Sequence, residues 1–233
     1  CPLVLASGRR FQSDSLPPEF EGLIHPDCLV SSNGAIIEID GKLVWEKYYD
    51  PDLQKRILDY VQEKQYCLIC GCNGVWYTSN IDRFLANATP ARKSMNPRHG
   101  KDFLELYEKK VPSFFLADSK EAIADIQAHF PEVKLLYMGD NLGGADIIPR
   151  ENGKVVGAKR ILDHYHADFS DAVAIGDSMN DVELIQAAGF GIAMGNAMPN
   201  VQVMADYVTA DIDQDGLAQA IDKALEHFSD RFA

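Results

Sequence analysis

The chain has 233 residues, 46% of them hydrophobic, and a formal net charge of −13. That is enough chain and apolar content for one large domain, or for a core with an insert, and so acidic a balance opposes nucleic-acid and anionic-membrane partners while leaving a small phosphorylated substrate open. No apolar run reaches the roughly 18 residues of a membrane span, and the start Cys1-Pro-Leu-Val-Leu-Ala6 has no basic leader, so the expected location is the cytoplasm.

In chain order, residues 3–6 read as a strand ending at Ser7-Gly8-Arg9, and 17–22 as a short helix or turn. Residues 28–31 form a second strand closed by Asn33-Gly34. Residues 35–39 and 43–45 read as a hairpin around Asp40-Gly41. Leu53, Ile57, Leu58 and Val61 set a helical stripe over 50–64. Residues 67–71 and 75–78 are strands around Cys72-Asn73-Gly74. No element is assigned within 81–99. Residues 103–108 read as a short helix, 111–116 as a strand, 119–130 as a helix capped by Ser119, and 133–138 as a strand. Past Gly143-Gly144 come a strand at 145–149, a helix at 156–165, a strand at 172–175, a helix at 179–188, strands at 191–193 and 207–209, and a closing helix at 217–227.

The alternation of strand and helix in the last ninety residues predicts a parallel sheet, whereas residues 35–142 mix hairpins with helices. The expected fold is therefore α/β: a Rossmann-like, doubly wound parallel core formed by 1–34 and 143–233, with an α+β cap domain inserted at 35–142. Five cysteines are present. Cys67, Cys70 and Cys72 have spacing that invites a zinc or redox reading, but no second pair completes a four-ligand site. Their apolar strand makes them small buried hydrophobes.

Ligands of open α/β sheets bind beyond the carboxyl ends of the strands, and three features fall there. Ser7-Gly8 offers a hydroxyl and backbone N–H groups suited to phosphate oxygens. Asp177 follows Ile175-Gly176 directly, with Asn180 and Asp181 a turn further on; these are the hard oxygen ligands magnesium takes. Lys154, ahead of a helix, is a point charge able to neutralise a phosphoryl group. The basic stretch around Arg83, Arg92, Lys93 and Arg98 reads first as a solvated surface.

The order Leu-Ala-Ser-Gly-Arg, Ser-Asn-Gly-Ala, a lysine before a helix, Ile-Gly-Asp-Ser-Met-Asn-Asp and Gly-Ile-Ala-Met-Gly-Asn-Ala resembles the haloacid dehalogenase superfamily. Within it the chain is similar to Cof-type phosphatases, which carry a large cap after the second motif. The resemblance implies a magnesium-dependent phosphatase acting on small phosphorylated metabolites such as sugar phosphates. It implies catalytic roles for Ser7 and Lys154, with Lys159 as the fallback lysine. Phosphate binding would fall to Ser7, Gly8, Arg9, Asn33 and Asn196, and Mg2+ binding to Asp177, Asn180 and Asp181. A phosphosugar mutase and a non-catalytic phosphate-binding protein are the alternatives.

The family reaction starts from a nucleophilic aspartate in a DxDGT-type motif, which forms an aspartyl-phosphate. Residues 1–6 contain no acid. Glu38-Ile-Asp-Gly-Lys42 has some of the rhythm but reads as the hairpin turn, and Gly139-Asp140-Asn141 reads as linker. The expectation is a chain lacking roughly 35–45 N-terminal residues, the length of a strand–motif–helix unit, and inactive as it stands. In the family sheet that strand lies between those ending at Ala6 and Ile175.

Overall fold

The computed structural model describes residues 1–10, 25–72, 74–87, 93–138 and 143–229. The helix or turn expected at 17–22, Asn73, Arg92 and Gly139-Asp140-Asn141 lie outside them. The chain divides into two compact units, Cys1–Asn152 and Gly153–Ala233.

The first unit opens with a four-stranded sheet. Strand β1 (Val4–Ala6) runs parallel to β2 (Cys28–Ser31). Antiparallel partners follow, β3 (Ile36–Ile39) and β4 (Lys42–Glu46). Asp40 and Gly41 join the last two with φ of 49° and 71°. Left-handed backbone at both central residues is what a two-residue primed hairpin turn requires, so Glu38–Lys42 is hairpin, as its sequence indicates. Residues 36–46 thus belong to the sheet of β1 and β2, not to the separate α+β layer in which 35–142 was expected to lie.

Helix α1 (Pro51–Glu63) starts where Asp50 accepts hydrogen bonds from the Asp52 and Leu53 N–H groups, with proline in the first turn. Its buried face is the expected stripe of Leu53, Ile57, Leu58 and Val61. Strands β5 (Leu68–Cys72) and β6 (Val75–Thr78), helix α2 (Ile81–Asn87), a 3-10 helix (Gly100–Glu108), β7 (Phe114–Leu116), helix α3 (Lys120–His129), β8 (Val133–Tyr137) and β9 (Ala145–Pro149) complete the unit. Ser119 caps α3 by accepting from Ala122 N–H at 3.3 Å. The strands form an antiparallel sheet in the order β6-β5-β7-β9-β8. Side chains from α1, the 3-10 helix, α3 and one sheet face, including Ile57, Leu58, Leu106, Phe114, Phe130 and Ile147, make its main core. Burying each such side chain contributes about 1.5–3 kcal/mol.

Strand alternation settles the cysteines. Cys70 and Cys72 point into the main core, whereas Cys67 joins Ile69, Phe84 and Ala117 on the opposite face. Three thiols divided between two faces of a sheet cannot ligate one metal ion, and burial pushes the Cys70 thiol up, away from the thiolate form.

Residues 145–149 were expected in the second part of the core. They are instead a strand of the five-stranded sheet, paired with β7 and β8. The physical reason lies in Gly143-Gly144. Tyr137 pairs with Ala145, and Met138 N–H donates to Gly144 O, so the glycines bring the chain back along β8 rather than out of the layer. A Cβ on Gly144 would lie 2.3 Å from Leu116 O, which only glycine avoids. Strand β7 is shorter than the expected 111–116 because Pro112 has no N–H to give a ladder.

The second unit contains helix α4 (Lys154–His164), strand β10 (Val173–Gly176), a 3-10 turn (Met179–Asp181) running into helix α5 (Val182–Ala187), strand β11 (Phe190–Ala193), helix α6 (Pro199–Gln202), strand β12 (Tyr207–Val208) and helix α7 (Gly216–Phe228). Strands β10, β11 and β12 are parallel throughout, as the alternation predicts. Ala174, Ile185, Ala193, Met194, Ala197 and Val201 form its core. Among the described residues β1 pairs only with β2, and β10 only with β11, so each is the edge of its sheet. No helix among the described residues is long and apolar enough to cross a membrane.

Candidate functional site

The carboxyl end of β10 is built by one side chain folding back. Asp181 Oδ2 accepts from the N–H groups of Asp177 and Ser178, both at 3.1 Å. This brings the Asp181 side chain over Gly176, where an added Cβ would sit 2.5 Å from Asp181 Cβ. The glycine before Asp177 is therefore required by close approach. The Ser-x-x-Asp spacing of Ser178 and Asp181 is a helix-start signal, and it supplies the acid that holds the turn.

The other oxygen of Asp181 faces a cation. Lys154 Nζ lies 2.6 Å from Asp181 Oδ1 and 3.2 Å from Asn180 Oδ1. The two charged side chains are only 7% and 10% exposed. Lys154 is the first residue of α4, so helix geometry carries its ammonium to the end of β10. Lys159, one turn and a half further on, is exposed and pairs with Asp163 on the same helix surface. Of the two lysines, Lys154 is the one that meets the Asp177-Asn180-Asp181 segment.

Asp177 itself is exposed, and its Oδ1 accepts from the Ser178 hydroxyl at 3.2 Å. The residues suit magnesium, which binds one or two carboxylates and keeps several waters. Asp177 is the accessible carboxylate. Both oxygens of Asp181 and Oδ1 of Asn180 accept from Lys154 or backbone N–H groups. Asn196 was expected near the phosphate. Its Oδ1 accepts from Ile212 N–H at 3.1 Å, a bond that ties the 194–198 turn to the next segment. That turn is also linked to the end of β10, since Met198 N–H donates to Asp177 O.

The remaining expected residues are in the first unit. Ser7 Oγ accepts from Arg9 N–H at 3.1 Å, closing a tight turn after β1. The turn is held from outside by the 30–33 segment: Ser7 N–H donates to Val30 O, Ser32 N–H to Arg9 O and Asn33 N–H to Ser7 O. Asn33 is fully buried and left-handed, with φ of 53°. Its side-chain amide donates to Asp146 Oδ2 on β9 at 2.8 Å. Asp146 carried no sequence signal, because its strand reads as an ordinary apolar one. The basic stretch behaves as ordinary surface: Arg83 makes two bonds to Asp118, and Arg98 pairs with Glu105.

Comparison with known proteins supplies the family. The model of the haloacid dehalogenase-like hydrolase family matches residues 1–221. The chain is 27% identical over 230 residues to an Escherichia coli 5-amino-6-(5-phospho-D-ribitylamino)uracil phosphatase, YbjI, covering 96% of this chain and 83% of that protein. It is 26% identical over 241 residues to a Bacillus subtilis phosphatase of the same name, YitU, covering 97% and 85%. Among solved structures, a subclass IIB sugar phosphatase of the same superfamily superposes with a TM-score of 0.80 at 21% identity, over 98% of this chain and 85% of that one. The fold is accordingly α/β, a Rossmann-like core with an α+β cap. With the family's model running over nearly its whole length, the chain belongs to the haloacid dehalogenase-like hydrolases.

Proposed function

We propose that the protein is a magnesium-dependent phosphatase of small phosphorylated metabolites such as sugar phosphates. The observation that carries this reading is the buried Lys154–Asp181 pair held beneath Asp177. A buried lysine at this place has a use beyond stability, because a buried ion pair contributes little net stability over an apolar replacement. Lys154 is the fixed positive charge that stabilises an attacking carboxylate and the charge developing on the phosphoryl oxygens. Asp177 is the metal ligand, and Asn180 and Asp181 orient the lysine and the turn. Asp177 would hold the magnesium ion, which would supply neutralisation of phosphoryl charge. In the first unit, Ser7, Gly8 and Arg9 hold phosphoryl oxygens, and Asn33 shapes that loop. The α+β layer is the cap and carries substrate selectivity. The relatives that act on phosphorylated ribitylaminouracil and on sugar phosphates support a small phosphate monoester as substrate.

The aspartyl-phosphate route also needs a carboxylate nucleophile, and residues 1–6 contain none. We therefore infer that the 233 residues alone bind phosphate without hydrolysing its esters. The test is p-nitrophenyl phosphate hydrolysis by the chain alone and by the chain fused behind a DxDGT-type strand and helix. Magnesium-dependent turnover by the fusion only is the expected result. A fusion that folds and turns over nothing in magnesium contradicts the phosphatase reading.

A further inference from the structure

We propose that Asp146 is a positioning residue for the Ser7-Gly8-Arg9 loop, acting through the Asn33 side chain; this rests on the reading of that loop as a phosphate site. The loop is gripped at both ends by the 32–33 turn, through Ser32 N–H to Arg9 O at 2.9 Å and Asn33 N–H to Ser7 O at 3.0 Å. Its middle residue lies against a side-chain pair. A Cβ built on Gly8 would be 3.1 Å from Asp146 Oδ2 and 3.2 Å from both Nδ2 and Oδ1 of Asn33. Gly8 therefore packs on the Asn33 amide and the Asp146 carboxylate together, and the loop takes its height from them.

Orientation follows from chemistry. An asparagine amide has a donor end and an acceptor end of almost equal size, whereas an ionised carboxylate only accepts. Asp146 therefore fixes Asn33 with Nδ2 toward β9 and Oδ1 turned the other way, and so sets the dipole beside Gly8. Asp146 is itself well anchored. It is the second residue of β9, in register with Phe115 on β7 and Leu136 on β8. A carboxylate this near an anion-binding loop opposes the anion unless its charge is answered, and the 2.8 Å bond from Asn33 is part of that answer. The pair joins the four-stranded sheet to the five-stranded one within the first unit, so the position of the phosphate loop is set by the cap layer as well as by its own strand.

The test is calorimetric binding of inorganic phosphate, in magnesium, to wild type, Ser7→Ala, Asn33→Ala, Asp146→Ala and the Asn33→Ala/Asp146→Ala double variant. Loss of one hydrogen bond to a charged group corresponds to about a 10-fold weakening or more. The expected result is that each single variant binds about 10-fold more weakly, with the double no weaker than either single, because both remove one coupled unit. An exchanged pair guards against misfolding. Asn33→Asp alone sets two carboxylates together and loses binding, and adding Asp146→Asn restores it by reversing the bond. A role limited to stability would shift the unfolding midpoint without this rescue of affinity. Wild-type affinity in Asp146→Ala, additive losses, or failure of the exchange in a folded protein overturns the positioning role when Ser7→Ala does weaken binding. An unchanged affinity in Ser7→Ala overturns the phosphate reading of the loop, and the proposal with it.

Discussion

A lysine ammonium buried against one carboxylate is costly to leave without that partner, and Lys154 is held in that way by Asp181 and Asn180. Among the described residues, Asp181→Ala would leave the ammonium with Asn180 Oδ1 as its hydrogen-bond partner. It would also remove the acceptor of two backbone N–H groups. The expected loss is about 3–5 kcal/mol in denaturant unfolding, while Lys159→Ala, on the exposed helix surface, is expected to change stability by less than about 0.5 kcal/mol. Gly176→Ala should be as damaging as Asp181→Ala, because its methyl group would meet Asp181 Cβ at 2.5 Å. If Gly176→Ala unfolds at the wild-type denaturant concentration, the folded-back geometry of Asp181 is wrong. At this scale the sequence marked Ser7, Lys154 and Asp177 as candidates, because strand ends and a short acidic motif are local signals. It could not show Asp146, whose role arises only when β9 returns beside the Asn33 turn. Nor could it show that the Asn196 side chain serves Ile212, a contact made across a turn and a strand.

At the scale of elements, helix α1 and strand β5 were legible because periodicity is strong in them, with Leu53, Ile57, Leu58 and Val61 on one helical face and the cysteines alternating across the strand. The Asp40-Gly41 turn was legible for the same local reason. The Gly143-Gly144 stretch was misread as a boundary because glycines mark both linkers and close-packed returns, and only the neighbour, Leu116 O, distinguishes the two. Helix α3 carries a pH-sensitive contact. Asp125 Oδ2 accepts from the hydroxyls of Tyr66 and Tyr60, both at 2.9 Å, and these bonds hold its carboxyl below the usual range. Tyr60 is pushed up to about 12, by burial first and then by its bond to Asp125. A lowered carboxyl contributes stability above its unfolded pKa of about 3.9, and loses it as pH falls through the folded value. The raised tyrosine contributes below about 10 and loses its share as pH climbs toward its folded value. Thermal midpoints should therefore be lower in Asp125→Asn than in wild type at neutral pH, with the gap closing below pH ~4. A gap that persists at pH ~2 would mean the bonds do not depend on the ionised carboxylate.

For the whole molecule, the parallel strands β10 to β12 follow the α/β pattern of the sequence, whereas the mixed sheet of β1 to β4 takes in 36–46, which was expected in the cap, and the family assignment extends over residues 1–221. Among the described residues β1 and β10 lie at the edges of their sheets, an arrangement that no local signal contains. The central proposal is that Asp177 serves a metal in phosphoryl transfer. Its most direct test is the magnesium-dependent rate of p-nitrophenyl phosphate hydrolysis by the nucleophile-bearing fusion, compared with the same protein carrying Asp177→Asn. Because Asp177 is exposed, the variant should unfold at the wild-type midpoint while its rate falls by on the order of 100-fold or more. An Asp177→Asn protein that keeps the wild-type magnesium-dependent rate would contradict the account.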